Sequence, residues 1–310
     1  MQSLLDNPGF ASAYAALEGI TLNPRRHLAA NAKAHSDAVA DAAVALARQN
    51  GCNPAEQALL RDLGHAHDIG KLDGHARPEA SLARLDALGL SPSPELRSLI
   101  EWHDRNLPWW MAVQRGQPPS DRAWRRLAGR VDLRLLCLFC VADRIDAPGG
   151  WRRNAPARWF VEQAEARGLI PALELDLPGI PSERSAGVAL VVEGRVVLIR
   201  VRERGFELPK GGIEFDELPS EAALRELREE AGVVGEVELG ESLGSLEYAV
   251  ETEGCRYTKR VEYFGARASA DAFGPLPSTT RALHHASRDE LDGVELVSEG
   301  LRPLLQRALA

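Results

Sequence analysis

Three glutamates pose the first chemical question. In the stretch GGIEFDELPSEAALRELREEAGV, which runs from Gly211 to Val233, Glu226, Glu229 and Glu230 stand at i, i+3 and i+4. On a helix those positions share one face. Unpaired like charges at that spacing cost about 0.2–0.5 kcal/mol each, so the face is either simply solvated or built around a cation. Leu224, Leu227 and Ala231 fall on the opposite side, which predicts one face packed on a sheet and one presenting carboxylates. Hard oxygen ligands in that number suit Mg²⁺ or Mn²⁺. Gly211-Gly212 reads as a turn that lets backbone approach a phosphate closely. Lys210, just before it, supplies a point charge for that phosphate. Pro219 suits the first helical position and Gly232 the C′ position with positive φ.

A second constellation lies in the first half of the chain. HAHDIGK puts His67 and Asp68 side by side, an imidazole and a carboxylate that borderline and hard divalent cations both accept. It is accompanied by His35 upstream, His75 in DGHARPEAS, His103 in LIEWHD and Asp143 in VADRID. His65 faces away from His67 by helical spacing and reads as non-ligating, and neither His27 nor the pair His284-His285 receives a role. Lys71, in the glycine-lysine turn, either faces a phosphate or is a solvated helix-end lysine.

The spacing Gly211-x5-Glu217-x7-Arg225-Glu226-Leu227-x-Glu229-Glu230-x-Gly232-Val233 matches the Nudix hydrolase signature at its fixed positions, and the resemblance covers roughly residues 185 to 310. It implies an α/β/α sandwich with metal-dependent hydrolysis of a nucleoside diphosphate linked to another group. By the same match Glu226, Glu229 and Glu230 would ligate the metal, with Glu217, Glu229 and Glu230 in catalytic roles and Arg225 orienting Glu217. FELPKGGIE and KRVEYFGA resemble the branch that cleaves dinucleoside polyphosphates and related polyphosphate esters. Two positions depart from that branch: Asp216 stands where it usually has glycine, and Glu262 where a histidine is common. They bear on substrate class rather than on the chemistry. Lys259 and Tyr263 are candidates for phosphate and base contact, or else members of an ordinary strand with one exposed face.

The order of the first-half motifs, over about residues 30 to 150, resembles the HD-domain metal phosphohydrolases, especially the HD domain appended to bacterial tRNA nucleotidyltransferases. That resemblance implies an all-α fold in which His35, His67, Asp68 and Asp143 ligate metal, with Asp68 and Lys71 at the chemistry. His75 and His103 would complete a second metal site or contact phosphate. Imidazole ligands favour a divalent transition metal such as Mn²⁺, Co²⁺, Ni²⁺, Fe²⁺ or Zn²⁺.

These side chains need elements to position them. HSDAVADAAVALARQNG carries Val39, Ala43 and Leu46 on one stripe and ends on Gly51, and residues up to 168 keep this helical texture. GLIPALELDLPGIPSERS has three prolines, two glycines and no period, and reads as a linker over residues 169–184. Beyond it, GVALVVEGRVVLIRV is two β-branched runs around Glu193-Gly194-Arg195, a hairpin signal. GESLGSLEYAV and TKRVEYFGARA continue the strand texture, and SEGLRPLLQRALA closes on an amphipathic helix. The expected fold is two domains: an all-α HD-type domain over residues 1–168, then an α/β Nudix domain with a mixed sheet over 185–310.

Composition bounds the rest. At 310 residues, 45% of them hydrophobic, the chain supports two sizeable cores. A net charge of −8 argues against nucleic-acid binding by the whole surface. Residues 101–170 nonetheless hold more arginines than acids, no lysine, and Trp109, Trp110, Trp124, Trp151 and Trp159 among their aromatics. They read either as a surface for phosphates and bases or as core tryptophans with solvated arginines. Cys52, Cys137, Cys140 and Cys255 form no disulfide framework, and Cys137 and Cys140 in LLCLFCVA read as buried hydrophobes. That apolar run is too short to span a bilayer, and MQSLLDNPGF does not read as a signal peptide, so the expected location is cytoplasmic. The expected function is a bifunctional metal-dependent phosphohydrolase. A Nudix pyrophosphohydrolase half would act on nucleoside or dinucleoside polyphosphates or RNA 5′ ends. An HD phosphodiesterase or phosphatase half would act on nucleotides or 2′,3′-cyclic phosphate ends. The alternative leaves the Nudix half as the only enzyme, with the HD half a nucleotide-binding regulator.

Overall fold

The computed structural model describes residues 3–201, 205–252 and 255–310, without the Cys255 side chain. The chain divides into two compact units, Met1–Ser182 and Glu183–Ala310.

The first unit is helical among the described residues. Its helices are α1 (Pro8–Ala16), α2 (Ala32–Gln49), α3 (Pro54–Ala66), α4 (Pro78–Ala87), α5 (Pro94–Trp102), α6 (Asn106–Gln114), α7 (Asp121–Ala128), α8 (Leu133–Ala142) and α9 (Ala155–Ala166). Asparagine, serine or aspartate side chains cap α1, α2, α3, α5, α7, α8 and α9. Each such cap satisfies an otherwise orphaned first-turn N–H, which is why short polar residues recur just before the apolar periods. α8 is almost wholly buried, from Leu133 to Ala142, and forms the centre of the core that Val39, Ala43 and Leu46 join from α2. Cys137 and Cys140 lie in that core, and burial pushes the Cys140 thiol up to about 12.

All but the last two residues of the segment expected to be a linker belong to this unit. Ile170 and Leu177 are buried in the helical core, with Leu169, Leu173, Leu175 and Ile180 packed against it. Arg152 grips Asp176 through two nitrogens, and the Glu174 and Leu173 amides donate to Asn50 Oδ1 and Glu165 Oε1, each at 2.9 Å. Its apolar residues lack a period because prolines hold the chain extended, yet most of them find the core.

The tryptophans also resolve towards packing. Trp124 is fully buried, with the Trp109 and Phe160 ring centroids at 4.7 and 5.0 Å and Trp159 at 6.0 Å. These indoles pack on one another rather than offering faces to bases.

The second unit is a six-stranded mixed sheet of β1 (Glu183–Val192), β2 (Arg195–Arg200), β3 (Lys210–Gly212), β4 (Glu238–Thr252), β5 (Cys255–Arg267) and β6 (Ala282–Ala286). The order is β4-β5-β1-β2-β6, with β3 pairing β1 off this path. β1 and β5 run parallel and the other pairs antiparallel. The hairpin between β1 and β2 has a two-residue loop, Glu193-Gly194, with both φ positive at 48° and 74°, and Arg195 already pairs with Val192. Alternation along β1 sends Ala186, Val188, Leu190 and Val192 towards α10 (Pro219–Ala231), and Ala189 towards α11 (Arg302–Ala308). The sheet is therefore covered on both faces. None of the described helices is long and apolar enough to cross a membrane.

Candidate functional site

Helix packing assembles the cluster in the first unit. α2 and α3 approach closely because Gly64 lies against Ala40: a Cβ at Gly64 would stand 2.5 Å from the Ala40 Cα. That contact brings His35 on α2 towards His67 at the end of α3. A 3₁₀ turn, Ile69–Asp73, then turns the chain away. Ser81 of α4 locks the junction by donating to the His67 carbonyl at 2.5 Å and accepting from the Gly70 amide at 3.2 Å. Asp143 caps the C-terminus of buried α8.

Four side chains converge there. His35 Nε2 lies 3.2 Å from Asp143 Oδ1 and 3.7 Å from Asp68 Oδ2. His67 Nε2 lies 3.3 Å from Asp68 Oδ2 and 3.5 Å from Asp143 Oδ1. All four side chains are at most 8% exposed. The ring tautomers follow from the far nitrogens. His67 Nδ1 reaches the Gly64 carbonyl at 2.8 Å, and His35 Nδ1 reaches Asp146 Oδ1 at 3.1 Å. Both contacts demand a proton on Nδ1, so in the neutral form of each ring the lone pair lies on Nε2. Those two Nε2 atoms are buried without a hydrogen-bond partner, and they point at two carboxylates. Such a pocket calls for protons or a cation. Burial drives the His67 imidazole down, but the Asp68 and Asp143 carboxylates more than offset it and raise it. His35, His67 and Asp68 offer ligand atoms within 4.8 Å of one another, so the donor set fits a divalent transition metal.

The remaining candidates divide. Lys71 Nζ ion-pairs with Asp68 Oδ2, and Arg144 holds Asp143 Oδ2 at 3.1 Å, so each carboxylate keeps a fixed orientation. His103 is buried beside the cluster, its ring centroid 5.5 Å from that of His67 and its Nδ1 on the Ile100 carbonyl at 2.7 Å. His67 and His103 thus share one device: each follows the last residue of its helix and uses Nδ1 to satisfy the carbonyl three residues back. His75 is exposed and is not one of the converging residues, a correction to its expected ligand role. His65 is buried against the Tyr14 ring, outside the converging sets. Sequence reasoning missed Asp146 and His27, which with His35 form a second set of ligand atoms within 4.8 Å. The spacing of Asp143 and Asp146 in VADRID was the available signal.

In the second unit the carboxylates gather around β3. Gly211 and Gly212 are strand residues paired with Ala186 and Ser185, not a turn. The absence of a side chain at Gly211 is required by Glu226, whose carboxylate oxygen would lie 2.1 Å from a Cβ there. Arg225 forks onto Glu217, with Nε to Oε1 at 2.9 Å and a terminal nitrogen to Oε2 at 3.0 Å. The same guanidinium reaches Glu226 Oε1 at 2.6 Å and the Gly212 carbonyl at 2.8 Å. Burial alone would raise the Glu217 carboxyl, but Arg225 holds it below its ordinary value. Glu230 accepts the Lys210 amide at 2.7 Å, and burial raises its carboxyl. Glu229 stays exposed. Ala222, Ala223, Leu227 and Ala231 form the packed side of α10, whereas Leu224 is only half-buried and Glu226 is buried. The buried and half-buried carboxylates of Glu226 and Glu230 beside a bare strand suit a hard cation.

Three further expectations change. Lys210 Nζ is paired with Glu207 rather than free. Lys259 ion-pairs with Glu183 at 2.8 Å. Tyr263 is 2% exposed in the cluster with Leu301, Leu304 and Leu305, so its ring is core. Along β5 the even positions Phe264 and Ala266 face α10 and the odd positions Val261 and Tyr263 face the other way. Asp216 has φ of 67°, so the aspartate keeps the left-handed backbone that a glycine adopts most easily.

Residues 181–301 match the NUDIX domain family. Nudix hydrolase 21, chloroplastic, of Arabidopsis thaliana is similar at 49% identity over 57 residues, 18% of this chain and 28% of that protein. The RNA pyrophosphohydrolase of Xanthomonas campestris pv. campestris (strain B100) is similar at 40% identity over 87 residues, 27% of this chain and 42% of that protein. Among solved structures, a hydrolase of the NUDIX family from Clostridium perfringens aligns at 20% identity with a TM-score of 0.34, covering 41% of this chain and 95% of that chain. The chain spans less than half the length of the curated relatives it matches.

Proposed function

We propose that residues 181–301, a Nudix hydrolase domain, cleave a phosphoanhydride bond in a nucleoside polyphosphate, a dinucleoside polyphosphate or the 5′ end of an RNA. The observation that carries this reading is the Arg225 fork on Glu217 beside the Glu226 and Glu230 carboxylates that frame Gly211. Glu217, whose carboxyl Arg225 holds below its ordinary value, would accept a proton from water. Glu226, Glu229 and Glu230 would hold Mg²⁺ or Mn²⁺, which supplies charge neutralisation at the pyrophosphate and a more acidic water. Lys210 would meet a phosphate by exchanging its Glu207 partner for it.

The first unit is read as an HD-type phosphohydrolase for phosphomonoesters or 2′,3′-cyclic phosphates. The paired, partnerless Nε2 atoms of His35 and His67 facing Asp68 and Asp143 support that reading. His35, His67, Asp68 and Asp143 would hold Mn²⁺, Co²⁺ or Ni²⁺. Lys71, paired with Asp68, would turn to an incoming phosphate.

The test is a panel of nucleotides, dinucleoside polyphosphates, cyclic phosphates and 5′-triphosphate RNA given to the full-length chain and read by product mass. Polyphosphate cleavage should vanish in Glu229→Gln and phosphoester cleavage in Asp68→Ala. Phosphoester turnover that survives Asp68→Ala, or polyphosphate turnover that survives Glu229→Gln, overturns the corresponding assignment.

A further inference from the structure

We propose that Asp146 is the positioning residue of the His/Asp cluster, fixing the His35 tautomer and fastening the segment His27–Ala29 beside it; this rests on the metal-binding reading of the first unit. His35 Nδ1 lies 3.1 Å from Asp146 Oδ1, and the His35 side chain is only 1% exposed, so bulk solvent has little access to that contact. An ionised carboxylate only accepts, so Nδ1 keeps its proton for Asp146, and a cation at the cluster would take the Nε2 side, which faces Asp143 and Asp68. A negative acceptor behind an imidazole also makes the opposite nitrogen more basic. Asp146 has further partners. Its backbone carbonyl accepts the Leu28 amide at 2.8 Å, its Oδ2 the Ala29 amide at 3.4 Å, and its Oδ1 lies 3.6 Å from His27 Nδ1. The His27 and His35 ring centroids are 4.5 Å apart. One residue therefore sets a ring proton and orients the ring through its carboxylate, and fastens the segment beside it through both its carbonyl and its carboxylate. Asp146 stands one turn beyond Asp143 at the end of α8, so the same chain segment supplies a candidate ligand and the group behind another.

The test uses the full-length protein and two readouts besides activity. Metal-free protein is titrated with Mn²⁺ or Co²⁺ against a competing chelator, and the His35 tautomer is read from ring ¹⁵N chemical shifts. Wild type should bind one transition metal ion in this unit, and His67→Ala should abolish that binding. Asp146→Ala should weaken binding by about 10–100-fold and release the tautomer towards Nε2–H. Asp146→Asn, which keeps an oxygen acceptor without the charge and suits a case where the alanine variant fails to fold, should hold the tautomer and recover part of the affinity. Unchanged affinity and tautomer in both variants overturn the proposal while leaving the metal site standing. Wild type that binds no metal in this unit overturns the site reading and the proposal together. Two ions lost at once in Asp146→Ala would put a second metal between His27, His35 and Asp146, and overturn the positioning role.

Discussion

Gly64 and Ala40 touch through their backbones: a Cβ on Gly64 would stand 2.5 Å from the Ala40 Cα, closer than any real contact. The α2–α3 crossing that carries His35 to His67 depends on that missing methyl. Gly64→Ala should cost ~1–3 kcal/mol by overpacking, although alanine is the better helix former. In a unit of this size that lowers Tm by roughly 2–4 °C per kcal/mol. Calorimetry and metal titration check it together, since metal affinity should fall with Tm. Gly64→Ala with unchanged Tm would show that the helices separate without strain.

Arg225 and Glu217 are joined by two parallel nitrogen–oxygen contacts at 2.9 and 3.0 Å. Arg225→Lys keeps the charge but cannot fork. A displaced Glu217 should lower kcat by about 10²-fold, as small misplacements at a reacting centre do. KM should change little, because Arg225 is occupied by Glu217, Glu226 and the Gly212 carbonyl. A lysine variant with wild-type kcat would separate Glu217 from the chemistry.

Gly211→Ala probes the same site from the strand. Its Cβ would meet the Glu226 carboxylate at 2.1 Å, so the carboxylate must leave. Because Glu226 is a flexible side chain rather than backbone, the fold should survive while the Glu226 carboxylate moves. Circular dichroism of the wild type and variant should superimpose, and pyrophosphate cleavage should fall at least as far as in Arg225→Lys. Full activity in a folded Gly211→Ala variant would remove Glu226 from the site.

Much of this was legible in the sequence because period and spacing carry it. The helical stripe of Val39, Ala43 and Leu46, the hairpin at Glu193-Gly194, and the carboxylates at i, i+3 and i+4 are local facts. What was missed is non-local. Asp146 acquires its role only when α8 ends beside α2. Tyr263 stood out as a candidate for base contact, with an ordinary strand as the alternative, but its side of the strand is the one covered by α11. Glu226 is buried rather than solvated because α10 packs beside β3, which no helical wheel shows. Residues 169–182 carry leucines and isoleucines without a period, so only tertiary packing identifies them as part of a core.

That packing sets the last prediction, on where the chain can be divided. A fragment ending at residue 168 would discard Ile170 and Leu177 from the helical core and leave Arg152 without Asp176. Burying each large aliphatic side chain contributes about 1.5–3 kcal/mol, so the loss of two approaches the whole stability of an ordinary domain. The first unit should therefore fold as 1–182 and be much less stable, or aggregate, as 1–168. The second begins at Glu183, whose carboxylate already holds Lys259 and Tyr257, and should fold as 183–310. Thermal melts of the three fragments check this directly, and equal Tm for 1–168 and 1–182 would return residues 169–182 to the status of a linker.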